Sequence, residues 1–96
     1  MSARLLQLNF KFSVTGPEYE AAVSPLAEAF AELDGLIWKI WMINDEEGEA
    51  GGIYLFEDEA SVQAYLDGPL AEGVMSHPAL SDFSAKEFDV MDAVTE

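Results

Sequence analysis

The chain has 96 residues, half of them hydrophobic and 11% aromatic, so a single folded domain spanning residues 1–96 is expected. It carries 19 acidic residues against four basic ones, for a formal net charge of −15. A surface of this sign repels phosphate backbones and anionic lipid headgroups, which argues against nucleic-acid and membrane partners. The absence of cysteine excludes disulfides and thiolate chemistry. No signal peptide or segment of transmembrane length is recognisable, so a cytoplasmic protein is expected.

The first strand and helix have clear signals. Residues 5–12 alternate between apolar and mixed positions, which predicts a strand with its apolar face inward. Thr15 and Glu18 form a capping-box pattern that begins a helix extending to about residue 33. Pro25 removes a backbone donor within that helix, so a bend or a restart is expected after Ser24. Gly35 is expected to end the helix in the left-handed conformation.

Residues 36–56 predict a hairpin of two strands, at 36–43 and 50–56, joined by an acidic turn. On the first of these strands, alternate residues are expected to point to opposite faces of the sheet. One predicted face carries Trp38, Ile40 and Met42, and the other carries Ile37, Lys39, Trp41 and Ile43. In the returning strand, Gly51 and Gly52 favour a bulge or the close approach of another backbone or ring.

Asp58 is the predicted cap of a second helix at residues 59–66, which Gly68 and Pro69 end. Residues 70–80 predict either a short turn of helix or an irregular loop. A fourth strand is expected at residues 84–91, where apolar and acidic residues alternate.

This order of elements, βαββαβ, predicts an α+β fold of the ferredoxin-like type. Its four-stranded antiparallel sheet has both helices on one face. The second face is expected to combine a large apolar surface with several polar side chains. Its expected members are Leu5, Ile37, Trp41, Ile43, Gln7, Asn9, Lys11 and Lys39. A surface this apolar favours pairing of the sheet with a second copy of the chain.

Four strand residues are candidates for a small-molecule site, because aromatic walls with a few polar groups are typical of such sites. They are Asn9, Trp38, Trp41 and Tyr54. Burial of the tryptophans in the core or in a dimer interface is the alternative interpretation. Tyr54 and Tyr65 have hydroxyls suited to a phenolic or quinone oxygen, although packed rings with solvated hydroxyls are more common.

His77 is the only histidine, and it lies within residues 70–80, for which the sequence predicts either a short turn of helix or a loop. A histidine can bind a metal or haem, or transfer protons. No paired histidine or HExxH pattern accompanies it, so no metal site is expected and a surface-loop histidine is favoured. No GxSxG elbow or glycine-rich phosphate loop is present, which excludes the corresponding hydrolases and nucleotide-binding proteins.

Several blocks resemble the family named YdhR-like putative mono-oxygenases. They are LLQLNFKF at residues 5–12, LIWKIW at residues 36–41, EAGGIYLFEDEASVQAYL at residues 49–66, and EFDV from residue 87. The resemblance implies a ferredoxin-like subunit that pairs into a dimeric α+β barrel, as in the superfamily of antibiotic-biosynthesis monooxygenases.

The resemblance also implies a reaction. Such enzymes oxidise a small aromatic substrate (a phenol, quinol or anthrone) with O2 and use no metal or flavin, so no cofactor is expected. By the same resemblance, Trp38, Tyr54 and Asn9 are the catalytic candidates, and Lys39 or Asn9 is expected to hold a substrate oxygen. The substrate-binding candidates are Lys39, Trp41, Tyr65 and His77.

Two alternatives remain open at this stage. One is haem binding or breakdown on the same fold, for which His77 and Asn9 would serve. The other is a non-catalytic, dimeric small-molecule binder.

Overall fold

The computed structural model describes residues 3–91 and 93–95. Its strands are β1 (Arg4–Phe12), β2 (Leu36–Asn44), β3 (Glu49–Phe56) and β4 (Leu80–Asp89). Its helices are α1 (Gly16–Val23), α2 (Ala27–Ala31), α3 (Glu59–Leu66) and α4 (Pro69–Met75), with a 3₁₀ turn at Ser24–Leu26 between α1 and α2. The expected domain of residues 1–96 includes four residues, 1, 2, 92 and 96, that lie outside this description.

The four strands form one antiparallel sheet in the order β2-β3-β1-β4, which confirms the predicted ferredoxin-like arrangement. The helices cover one face, called here the helix face. Its core combines inward side chains of β1 and β3 with those of the helices: Leu6, Leu8, Phe10, Phe12, Tyr54, Phe56, Phe30, Val62, Tyr65 and Val74. No helix of the described residues covers the opposite face, which is called the open face.

The predicted helix signals are present. Thr15 and Glu18 form the reciprocal capping box at the start of α1. The first helix is interrupted at Ser24–Leu26, as the proline predicted, and α2 ends at Ala31. Gly35 has the expected left-handed conformation, with a φ of +82°, but it does not end the helix, because Glu32 is already the C-cap of α2. Asp58 caps α3 by accepting a hydrogen bond from the Ser61 amide. None of the described helices has the length and apolar character needed to cross a membrane.

Two boundaries differ from the expectation. A helix of seven residues, α4, begins at Pro69 and continues into residues 70–80, where a short turn of helix or an irregular loop was expected. Strand β4 begins at Leu80, four residues earlier than predicted. An irregularity in its pairing with β1, between Asn9 and Lys11, interrupts the alternation there, and Asp82 takes a φ of +53°.

The expected assignment of β2 side chains to the two faces is wrong. Leu36 pairs with Phe56, but Trp38 pairs with Leu55, so Ile37 is an extra residue in a β-bulge. One extra residue moves every later side chain to the other face. Lys39, Trp41 and Ile43 therefore lie on the helix face, while Trp38, Ile40 and Met42 lie on the open face with Leu5, Gln7 and Asn9.

Candidate functional site

An aromatic cluster surrounds the amine of Lys39 on the helix face. The Nζ atom lies 3.3 Å from the centroid of the Trp41 ring and 3.4 Å from that of Phe30. The Tyr54 ring is 4.5 Å away. Phe30 reaches the cluster from α2, while Trp41 and Tyr54 come from β2 and β3. Ring faces attract a cation, so these three rings form a cage for the ammonium form of Lys39.

Gly52 makes room for this cluster. It lies opposite Trp41 in the β2–β3 pairing and opposite Leu8 in the β1–β3 pairing. A Cβ atom at this position would lie 3.0 Å from Cε of Lys39 and 3.2 Å from Cε1 of Tyr54. The neighbouring Gly51 meets backbone instead, since its Cβ would lie 1.9 Å from the Leu8 carbonyl oxygen. The sequence-based expectation of a close approach at this glycine pair is therefore confirmed.

Burial lowers the pKa of Lys39 to about 7, because the ammonium loses water that the surrounding apolar rings replace only in part. Attraction by the ring faces favours the ammonium and works against that shift. Within residues 3–91 and 93–95, both ion pairs belong to Arg4, and no carboxylate pairs with Lys39. Near neutral pH, Lys39 is therefore present both as the ammonium and as the neutral amine.

Tyr54 and Tyr65 form the floor of the cluster. Their rings are 5.2 Å apart, both side chains are buried, and the two hydroxyl oxygens are 3.3 Å apart in a hydrogen bond. Burial raises the pKa of both phenols, so both remain protonated at neutral pH. Phe30 packs against each of them, at 5.9 Å and 5.7 Å between centroids.

Two cavities flank Trp41 between the helices and β2. The smaller, about 300 Å³, is lined by Lys39 together with Phe30, Leu36 and Trp41. The larger, about 550 Å³, extends along α1 past Tyr19 and is lined by the carboxylates of Glu20 and Asp45. Trp41 borders both cavities and is 38% exposed, and we call the combined space the β2 cleft. Its volume is in the range of small-molecule sites.

Four of the seven residues predicted for the site lie together. They are Lys39, Trp41, Tyr54 and Tyr65. Asn9 lies on the open face, where its side-chain oxygen accepts a hydrogen bond from the Gln7 amide at 3.0 Å. Trp38 also belongs to the open face, although it borders the smaller cavity at the edge of the sheet.

His77 lies apart from the other six, in the exposed segment after α4. Its Nδ1 accepts a hydrogen bond from the Ala79 amide at 3.1 Å. It borders a separate cavity of about 160 Å³ with Glu18 and Leu80. No group of three or more His, Asp or Glu side chains in the described ranges could hold a metal ion.

Phe30 is a site residue outside the seven that were predicted from the sequence. It lies on α2 and is buried, at 2% exposure. Its contact with Lys39 depends on the bulge at Ile37, which turns Lys39 toward α2. No sequence pattern in β2 identifies that bulge in advance, so the contact had no local signal.

The comparisons with known proteins agree with this architecture. The family described as Putative mono-oxygenase ydhR matches residues 5–96. No curated protein is a significant match.

Solved structures share the fold at low sequence identity. The cofactor-independent oxygenase SnoaB of Streptomyces nogalater is 17% identical over the whole of both chains, with a TM-score of 0.78. A putative antibiotic biosynthesis monooxygenase of Deinococcus radiodurans is 15% identical over 97% of each chain, with a TM-score of 0.72. The haem degrader MhuD of Mycobacterium tuberculosis is 22% identical over 91% of this chain and 95% of its own, with a TM-score of 0.69.

Proposed function

Because the chain belongs to the family of putative mono-oxygenases named after ydhR, we propose that it oxidises a small aromatic phenol, quinol or anthrone with O2 in the β2 cleft, without a metal or flavin. The observation that carries this proposal is the amine of Lys39, buried among three rings and open to a cavity. Such a reaction needs a substrate anion, and a base that becomes a cation on accepting the proton is suited to forming it.

In the proposed reaction, the neutral amine of Lys39 removes a proton from the bound substrate. The resulting ammonium then stabilises the substrate anion, which donates electrons to O2. For an anthrone, the CH2 group becomes a carbonyl, one oxygen atom enters that carbonyl, and the other leaves as water. The substrate supplies all four electrons, so the reaction balances without a further reductant.

The aromatic residues of the cluster have positioning roles in this proposal. The exposed ring of Trp41 stacks on the substrate, and the buried pair of Tyr54 and Tyr65 supports the cage from below. Asn9, Trp38 and His77 do not enter it, because Asn9 and Trp38 belong to the open face and His77 follows α4. The haem alternative depended on Asn9 and His77, so this proposal does not include it.

Oxygen uptake tests the proposal. The purified chain is mixed with a panel of anthrones and quinols, and the rate is compared with autoxidation in buffer alone. Turnover is expected to be lost in Lys39→Met and kept in Lys11→Met, which makes the same charge change at an exposed lysine. A rate equal to that of buffer across the panel would refute the enzymatic claim. Saturable binding without turnover would instead support the non-catalytic binder.

The open face supports a second part of the proposal, which is self-association. It presents exposed apolar side chains on two strands, Trp38 and Ile40 on β2 and Phe88 on β4, beside the partly buried Leu5 and Leu55. Pairing of two such sheets, face to face, removes this surface from water. The β2 cleft lies on the other side of the sheet, so a homodimer of this kind leaves both clefts open.

A further inference from the structure

Lys39 differs from the other lysines in its surroundings. In the single chain, Lys11 and Lys86 are exposed, and water solvates their ammonium groups. Lys39 is partly buried under α2 and has no carboxylate partner among the described residues. A lysine that has lost water and has no counter-ion spends more of its time as the neutral amine, which is the nucleophilic form.

Space for an electrophile lies directly beside this amine. The cavity of about 300 Å³ is lined by Lys39 and by the apolar side chains of Phe30, Leu36 and Trp41. These walls suit a flat aromatic body that stacks on Trp41, the most exposed ring of the cluster. A net charge of −15, with Glu20 and Asp45 at the other end of the cleft, disfavours an anionic ligand.

We propose that Lys39 is a covalent binding site for small, uncharged aromatic aldehydes, which it captures as imines in the β2 cleft. The amine nitrogen attacks the carbonyl carbon and forms a C–N bond. The carbinolamine then loses one water, whose oxygen was the carbonyl oxygen and whose two hydrogens were on the amine. No oxidant or reductant takes part in the capture, so this activity goes beyond oxygenation and does not depend on it.

The site favours the aldehyde chemistry for two physical reasons. Apart from Lys39, the side chains that line the cavity are apolar, so the aromatic body of the aldehyde loses contact with water when it binds beside the amine. The ring faces that cage the ammonium also attract a protonated imine, because it is likewise a cation at the same atom. The exposed lysines have neither feature.

Reductive trapping tests this inference. The folded chain is incubated at pH 7 in nitrogen-purged buffer with benzaldehyde and cyanoborohydride, which converts each imine into a stable secondary amine. Peptide mapping after digestion at acidic residues then measures the label on each lysine. An ordinary lysine is less than about 0.1% neutral at pH 7, so at least about tenfold more label is expected on Lys39 than on Lys11 or Lys86.

Four controls decide the outcome. Lys39→Met is expected to lose the preferred adduct and to leave the labelling of Lys11 and Lys86 unchanged, and Lys39→Arg is expected to do the same with the charge retained. In urea, where the cluster is absent, the label on Lys39 is expected to fall to the level of Lys11. The carboxylated probe 4-carboxybenzaldehyde is expected to label Lys39 at least about threefold less than benzaldehyde, because of the acidic surface.

Equal labelling of the three lysines in the folded chain would overturn the inference. Preferential labelling of Lys39 that persists in urea would also overturn it, since the fold would then have no role. The anaerobic conditions keep the result separate from the proposed oxygenation. A chain that captures benzaldehyde but consumes no O2 would support this inference and refute the other proposal.

Discussion

Replacement of Lys39 by methionine is expected to stabilise the protein. Methionine has a similar length and keeps the apolar stem in place, and its sulfur packs well against rings. What the substitution removes is a charged group held against Phe30, Trp41 and Tyr54 without a counter-ion. The expected gain in the free energy of unfolding follows from the pKa of Lys39.

Burial moves that pKa from its ordinary value of 10.5 to about 7. At about 1.4 kcal/mol for each unit of pKa, the ammonium is destabilised in the folded state by at most about 5 kcal/mol. Attraction to the ring faces offsets about 2 kcal/mol of this, and partial exposure of the side chain reduces it further. Lys39→Met is therefore expected to raise the free energy of unfolding by about 2 kcal/mol at pH 7.

The pH dependence has a definite sign. The folded pKa of Lys39 lies below the unfolded one, so between about pH 7 and pH 10.5 the unfolded state binds more protons. Between these pH values, the free energy of unfolding of the wild-type chain rises with pH relative to that of a variant without the amine. The advantage of Lys39→Met is therefore expected to shrink to less than about 1 kcal/mol at pH 10.

Urea unfolding followed by far-ultraviolet circular dichroism measures both values. All proteins are compared at one concentration, because the proposed self-association would make the midpoint concentration-dependent. Lys11→Met is the matched control, since it removes the same charge from an exposed position and is expected to change stability by less than about 0.5 kcal/mol. A Lys39→Met variant that is no more stable than the wild type at pH 7, or whose advantage is the same at pH 10, would contradict a destabilised ammonium at Lys39.

Four further outcomes are expected. Ile40→Lys on the open face should convert the proposed dimer to a monomer in light scattering. Ile43→Lys, which is equally exposed (51% against 52%) but lies on the helix face, should not, and equal effects of the two substitutions would contradict sheet pairing. Gly52→Ala should displace the Lys39 amine and weaken the binding of 2-naphthol several-fold, as measured by tryptophan quenching, and an unchanged affinity would count against the packing described. Gly73→Ala in α4, whose added methyl group meets open space, should raise the free energy of unfolding by about 0.5–1 kcal/mol, and a loss of stability would contradict that expectation. 2-Naphthol is expected to bind more tightly than a carboxylated naphthol, and Asp45→Asn should reduce the ratio of the two affinities a few-fold at low salt. An unchanged ratio would show that the Asp45 carboxylate takes no part in selecting ligands.

The fold was predictable because its signals are local. The capping box at Thr15 and Glu18, the cap at Asp58 and the left-handed glycine at position 35 each depend on a few neighbouring residues. Alternation in β1 named the buried face correctly, since Leu6, Leu8, Phe10 and Phe12 are all in the core. Those features fix the order of elements, and the order of elements fixes the topology.

The two faces of β2 were not predictable in the same way. Nearly every residue of β2 is apolar. Alternation along the strand therefore divides its side chains between two faces, but it does not indicate which face is buried. The bulge at Ile37 decides that question, and it depends on how β2 pairs with β3 rather than on the composition of β2. An assignment based on Leu36 alone places Lys39 on the wrong face.

The same bulge limited the prediction of the site. The residues that carry the cluster, Lys39, Trp41, Tyr54 and Tyr65, were all among those predicted, because aromatic and amphipathic side chains are suited to a pocket. Sequence reasoning could not separate them from Trp38 and Asn9, which have the same chemistry on the other side of the sheet. A change of one residue in register is enough to exchange the two groups.

Alternation along β2 also makes the two proposed roles of this strand separable. Ile40 belongs to the open face alone, whereas Trp38 and Met42 lie on that face and also border the β2 cleft with Lys39 and Trp41. A substitution of Ile40 should change association and leave aldehyde capture by a folded monomer intact, because the amine and its cavity are formed within one chain. If a monomeric Ile40→Lys variant keeps its native circular dichroism and still places the benzaldehyde label on Lys39, the cleft is complete without a partner. Loss of that label in a folded monomer would mean that the second copy supports the cleft, and the separation of the two faces argued here would be wrong.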